Sequence, residues 1–150
     1  MESNQKLLSL AQTLYGEWLK HKRMFFTKER GLLLNFIFDQ KGHFSADELM
    51  FSIQKVQLKV SRATLYRTLS QMVDAGILSE SDFGHGHTHY EITLGTRPHV
   101  HLIDTQADEV REVHSPKLEA ALAELARKEG FEIKRYKIQL FGFSTKAKRK

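Results

Sequence analysis

The chain has 150 residues, 41% of them hydrophobic and 27% charged, which suits one compact domain or two small lobes with limited cores. It contains no cysteine, so disulfides, thiolate nucleophiles and CxxC zinc sites are excluded. The net charge is +5, but Lys146, Lys148, Arg149 and Lys150 supply four of those charges, so the position of the basic groups says more than their sum. Apolar runs last only a few residues and MESNQK lacks the pattern of a secretory signal; no membrane span and a cytoplasmic location are expected.

Residues 5–22 read as a helix with Leu7, Leu8, Ala11, Leu14, Tyr15, Trp18 and Leu19 on one broad apolar face. It ends in a basic cluster, Lys20, His21, Lys22 and Arg23. Thr27 is expected to cap a second helix reaching Asp39, whose LLLNFIF run points to burial. Ser45 and Glu48 form an S-x-x-E capping box ahead of a third helix through Gln54. A fourth helix, about four turns long, follows between the N-cap Ser61 and the stop Gly76. Leu65, Leu69 and Met72 make its inward stripe, while Arg62, Tyr66 and Ser70 share another face with Arg67 beside them. That face offers guanidinium for guanine edges, a ring for a thymine methyl and hydroxyls for phosphate, so it reads as a helix made for a DNA major groove. The plainer alternative is a surface helix in a helical domain.

Residues 77–83 and 90–94 then read as two strands around GHGHTH, the wing of a winged helix-turn-helix. The turn-rich segment LGTRP, at 94–98, marks a lobe boundary. Beyond it come a hairpin (99–104 and 109–113), a helix opened by Ser115-Pro116 and closed by Gly130, and a long strand at 131–143. The fold class is therefore α+β: an N-terminal winged helix-turn-helix domain (1–94), a small β-β-α-β domain (99–143) and a basic tail (144–150). The second lobe carries more apolar strand surface than it can bury alone, so a homodimer sharing a sheet is expected.

Six of the eight histidines fall between His85 and His114, a concentration that calls for a metal hypothesis. His99 and His101 flank Val100 on a strand, so both imidazoles project from one face. His87, His89 and Glu91 alternate onto one face of the wing strand in the same way. The plainer reading is polar strand residues and solvated wing histidines.

SRATLYRTLSQMVDAGIL, followed by HYEIT, PHVHLID and GFEIKRYKIQLFGF, resembles the ferric uptake regulator superfamily of metal-sensing repressors, from about Phe26 to Phe143. The nearest likeness is to cysteine-free members, including manganese-responsive ones. The resemblance implies a metal-responsive transcriptional regulator of metal-homeostasis genes, and not an enzyme. It matches His43, Glu91, His99, His101 and Glu112 to the family's sensing ligands, one divalent metal per subunit, with His89 a further candidate. A sulfur-free nitrogen and oxygen set suits Fe²⁺ or Mn²⁺ in the cell, with Zn²⁺ or Co²⁺ also able to bind. The family's structural zinc is not carried over, because the segments that would hold it read HLIDTQADEVREV and FGFSTKAKRK. A second family metal site is also expected to be missing: Pro98 and Val100 stand at its interleaved positions and Tyr136 at its late histidine, leaving only Glu119.

For DNA, the resemblance sets Tyr66 and Arg67 at base edges and Ser61, Arg62 and Thr64 at phosphates. Lys20, Lys22 and Arg23 match a basic segment able to reach a minor groove, and Thr27 and Arg30 a T-x-x-R segment that contacts phosphate or forms an internal salt bridge. A cation joining the lobes would bias their orientation and set two recognition helices on a palindromic operator of double-stranded DNA. The rivals are a peroxide sensor, in which bound Fe²⁺ oxidises a ligand histidine, and a haem-responsive regulator. The peroxide reading ranks lower because Glu91 stands where such sensors tend to place Asp. A metal-dependent hydrolase is disfavoured, since no His-Glu-x-x-His helix or glycine-rich phosphate loop occurs.

Overall fold

The computed structural model describes residues 2–40, 42–83 and 88–145, with side chains from Asn4 onward. His85, His87 and tail residues 146–150 lie outside the described residues. The chain divides into two compact units, Met1–Thr96 and Arg97–Lys150. No helix among the described residues is long and apolar enough to cross a membrane.

In the first unit the order is α1 (Glu2–His21), α2 (Lys28–Phe38), β1 (Phe44–Ser45), α3 (Ala46–Lys55), α4 (Arg62–Asp74), β2 (Leu78–Asp82) and β3 (Thr88–Ile92). Each start after α1 carries the cap its sequence calls for. The Thr27 hydroxyl accepts from Arg30 N, and Ser61 accepts from Thr64 N. Ser45 and Glu48 complete a reciprocal capping box, and the amide and hydroxyl bonds from Ser45 hold the Glu48 carboxyl below its ordinary pKa. α4 ends where Gly76 takes a left-handed φ of 72°, a conformation a β-carbon would oppose. β3 is the middle strand of an antiparallel sheet ordered β1-β3-β2. The two-residue β1, which the sequence pattern does not announce, pairs Phe44 with Tyr90 and Ser45 with His89.

The core gathers Leu33, Leu34 and Ile37 of α2, Leu49 and Ile53 of α3, and Leu65, Leu69 and Met72 of α4, all fully buried. A polar bond runs through it: the Tyr15 hydroxyl of α1 donates to Gln71 Oε1 of α4 at 2.7 Å. Burial raises the Tyr15 pKa, with Arg30 opposing, so the phenol keeps its proton and remains the donor. Gln71 Nε2 in turn reaches the Met24 sulfur at 3.8 Å, where Arg30 Nη2 also points at 3.9 Å.

The second unit holds β4 (Val100–Asp104), β5 (Glu109–Val113), α5 (Pro116–Lys128) and β6 (Ile138–Gly142) in a sheet ordered β5-β4-β6. β5 runs antiparallel to β4, and β6 parallel after the α5 crossover. Asp104 closes the far end of the sheet. Its carboxylate accepts from the amides of Gln106, Ala107 and Ser144, which depresses its pKa and ties the hairpin turn to the chain leaving β6. The long strand expected over 131–143 is shorter than the sequence suggests. β4 offers only five residues, each pairs once with 138–142, and the preceding FEIKRYK has no ladder among the described residues.

Replacing Tyr15 with Phe keeps the ring packing but leaves the Gln71 oxygen in the core without this donor. A loss of about 1–3 kcal/mol is expected, read as a lower urea midpoint at unchanged m-value.

Candidate metal centre and nucleic-acid interface

Each unit presents its own pair of ligand-type side chains. In the first, β3 carries Glu91, and the turn before β1 carries His43; His43 Nε2 lies 3.4 Å from Glu91 Oε2, both side chains being largely buried. A buried ring, Phe83, packs edge-on against His43, with ring centroids 5.1 Å apart, and tilted against His89 at 5.2 Å. His89 shares the Glu91 face of β3 by alternation. Nothing in the spacing announces Phe83 as the side chain that holds both imidazoles.

In the second unit, β4 alternation brings His99 and His101 together, Nε2 to Nε2 at 3.2 Å. His99 Nδ1 lies 3.0 Å from the Arg97 carbonyl, which can only accept, so this nitrogen carries the proton and Nε2 the lone pair of a neutral ring. His101 is only 4% exposed. The β4–β5 register sets Glu112 directly opposite His101, on the same face.

These separations suit a metal. With ligand bonds of about 2.1 Å, nitrogens 3.2 Å apart subtend about 100° at a shared cation, and the His43–Glu91 pair about 110°, within the tetrahedral-to-octahedral range. Each pair, two imidazoles in one unit and an imidazole with a carboxylate in the other, offers nitrogen or oxygen donors without sulfur, which fits divalent Mn, Fe, Co or Zn.

The outward face of α4 carries Tyr66, 46% exposed, with Arg67 exposed beside it. Ser61 and Thr64 are occupied locally, with their hydroxyls 2.9 Å apart at the N-cap. Arg62 donates to Asp47 of α3 at 2.6 Å, an exposed ion pair worth little, so phosphate can displace it. After α1 the chain reverses through Arg23 in the left-handed region, φ 58°. Lys20 is exposed nearby, and the Lys22 ammonium stands 5.6 Å over the Trp18 ring. The T-x-x-R segment does something else here: Thr27 caps α2, and Arg30 donates to the Phe25 carbonyl.

α3, the connecting turn, α4 and the β2–β3 ribbon make a winged helix-turn-helix, the architecture of a DNA-binding regulator. Residues 21–141 match the Ferric uptake regulator family. A ferric uptake regulation protein of Rhizobium leguminosarum bv. viciae is 34% identical over 140 residues, spanning 93% of this chain and 97% of that one. The structure of the ferric uptake regulator from Pseudomonas aeruginosa with manganese superposes with a TM-score of 0.75 at 26% identity, over 85% of this chain and 96% of that one. A zinc-bound manganese uptake regulator does so with a TM-score of 0.56 at 32% identity, over 87% and 98%. The chain belongs to the ferric uptake regulator family, whose members are metal-responsive DNA-binding transcription regulators and not enzymes.

Arg67→Ala is expected to lose discrimination among duplex sequences at a cost of about 1–3 kcal/mol, through loss of a bidentate base contact. Lys22→Ala should weaken all duplexes alike and flatten the salt dependence. Fluorescence anisotropy over a salt series separates the two effects; retained sequence preference in Arg67→Ala would contradict the assignment of this face.

Proposed function

We propose that this protein is a homodimeric, cytoplasmic repressor of metal-homeostasis genes, with Mn²⁺ or Fe²⁺ as its cellular signal and Zn²⁺ a competent substitute in vitro. The observation that carries the reading is the His99–His101 pair. Their Nε2 atoms are 3.2 Å apart, and the Arg97 carbonyl fixes the ligand tautomer of His99. His43 and Glu91, 3.4 Å apart, supply a second pair of matching chemistry.

In this reading His43, Glu91, His99, His101 and Glu112 hold one divalent cation per subunit, with His89 as a reserve imidazole and no cysteine zinc site. The bound cation supplies two positive charges shared by ligands from both domains (1–94 and 99–143). His43 and Glu91 then restrict the DNA-binding domain relative to the dimerisation domain, and this restriction is the signal. It acts only through a difference in affinity between the domain orientations that the ligands permit. The manganese of the Pseudomonas aeruginosa structure and the zinc of the manganese uptake regulator support a metal of this class.

Tyr66 and Arg67 read base edges of a palindromic operator, with half-sites about 34–36 Å apart or a multiple of that. Ser61, Arg62 and Thr64 hold phosphates, and Lys20, Lys22 and Arg23 add contacts beside the groove. Dimerisation through β6 is supported by its position at the sheet edge, where Leu140, Phe141 and Phe143 are each more than half exposed. The dimer should persist in EDTA, as checked by sedimentation.

His99→Ala is the decisive variant. It should lose both tight Mn²⁺ binding and metal-dependent operator binding while its domains stay folded, as judged by circular dichroism. His85→Ala should lose neither, and His89→Ala reports whether the reserve imidazole is a ligand. A His99→Ala protein that takes up one equivalent of Mn²⁺ and still switches on the operator would sink the reading.

A further inference from the structure

His114 lies outside this ligand set but close to it. His114 follows β5, and the β4–β5 ladder pairs Val100 with Val113 and His101 with Glu112. Continuing that ladder by one pair sets His99 opposite His114, and their rings stand 5.9 Å apart at 75°. Residues directly opposite in an antiparallel ladder project from the same face. His99, His101, Glu112 and His114 therefore share one face of a two-stranded ribbon, inside the second unit alone.

The orientation of His114 matches that of a ligand. Its Nδ1 lies 3.1 Å from the Pro98 carbonyl, which can only accept a proton, so in the neutral ring the lone pair belongs to Nε2. His99 is held the same way by the Arg97 carbonyl. A backbone carbonyl on the far nitrogen is the usual means of fixing the tautomer of a metal-ligating histidine. Distance allows it as well. Two Nε2-bound imidazoles on one cation put their ring centroids no more than roughly 6.4 Å apart for metal–nitrogen bonds of about 2.1 Å. The 5.9 Å between His99 and His114 falls inside that limit, on the open-angle side, and the 4.6 Å between His99 and His101 falls well inside it. His114 is exposed, so a cation can reach it from solvent.

We infer that His99, His101, Glu112 and His114 form a loading site for a divalent cation of the Mn, Fe, Co or Zn class, complete within the second unit. This rests on the sensing reading above, from which it borrows three ligands. His114 serves as the exchangeable donor that holds the cation before His43 and Glu91 engage. The chain then acquires its metal in two stages, capture on the β4–β5 ribbon followed by closure onto the DNA-binding domain. Operator binding would report only the second stage.

The test uses full-length protein under anaerobic conditions, with Co²⁺ followed by its visible absorption and Zn²⁺ affinity measured by chelator competition. A His43→Ala/Glu91→Gln variant, stripped of its N-terminal ligands, should still bind one Co²⁺ per subunit. Adding His114→Gln should weaken that binding by at least the roughly 10–100-fold that loss of a supporting group around a metal costs. His114→Glu, which restores a donor, should recover most of it, a response that a merely structural histidine would not give. The inference is overturned if the His43→Ala/Glu91→Gln protein binds no Co²⁺, or if its affinity is the same with and without His114. A wild-type protein that binds Co²⁺ through His114 but never alters operator binding would leave the loading site standing and overturn the sensing reading instead.

Discussion

The buried inner face of α4 is the constraint on which the DNA-binding unit depends. Leu65, Leu69 and Met72 admit no solvent, and the Tyr15–Gln71 bond fixes how α4 is rotated against α1. An apolar stripe alone tolerates some slippage, because burial is non-directional. A buried hydrogen bond does not, because breaking it strands a polar atom in the core. With the inner face fixed, 3.6-residue periodicity leaves Tyr66 and Arg67 no position but the outer one. The helix holds Tyr66 and Arg67 outward because its other side is held.

The second unit relies on a different regularity. A strand's period of two sends His99 and His101 to one face, and antiparallel pairing adds Glu112 opposite them. Five residues of β4, backed by β6 on its other edge and closed by Asp104, are enough to hold this face. In a chain with no cysteine the sheet depends on packing and backbone pairing instead of a metal staple. In the proposed reading, a cation on its histidines comes and goes while the fold persists, as a sensor requires. A structural zinc, whose binding energy is folding energy, could not be released so freely.

Much of the architecture was legible in the sequence because local chemistry and tertiary demand agree. Thr27, Ser45, Ser61 and Ser115 each begin a helix, and Gly76 ends one. What escaped has particular causes. β1 is two residues long, too short for any alternation to show. The strand expected over 131–143 shortens to 138–142, because a strand extends only as far as its neighbour does and β4 has five residues. His43 could be named from its resemblance to the family, but Phe83, which packs on it, belongs to no motif. His114 was countable among the clustered histidines, yet its relation to His99 needs the register of a hairpin, a long-range fact that composition does not contain. Arg62 shows the converse: its sequence context suggests phosphate, and in the free chain it pairs with Asp47.

In the proposed reading, occupation of the histidine–carboxylate ligands and affinity for DNA are one coupled equilibrium. The measurement closest to it is an anaerobic titration of Mn²⁺ into the protein mixed with a fluorescent palindromic duplex, with bound metal and duplex anisotropy recorded together. Anisotropy should change in step with metal occupancy, saturate at one equivalent per subunit and reverse with chelator. Anisotropy that stays constant while the metal site fills would contradict it.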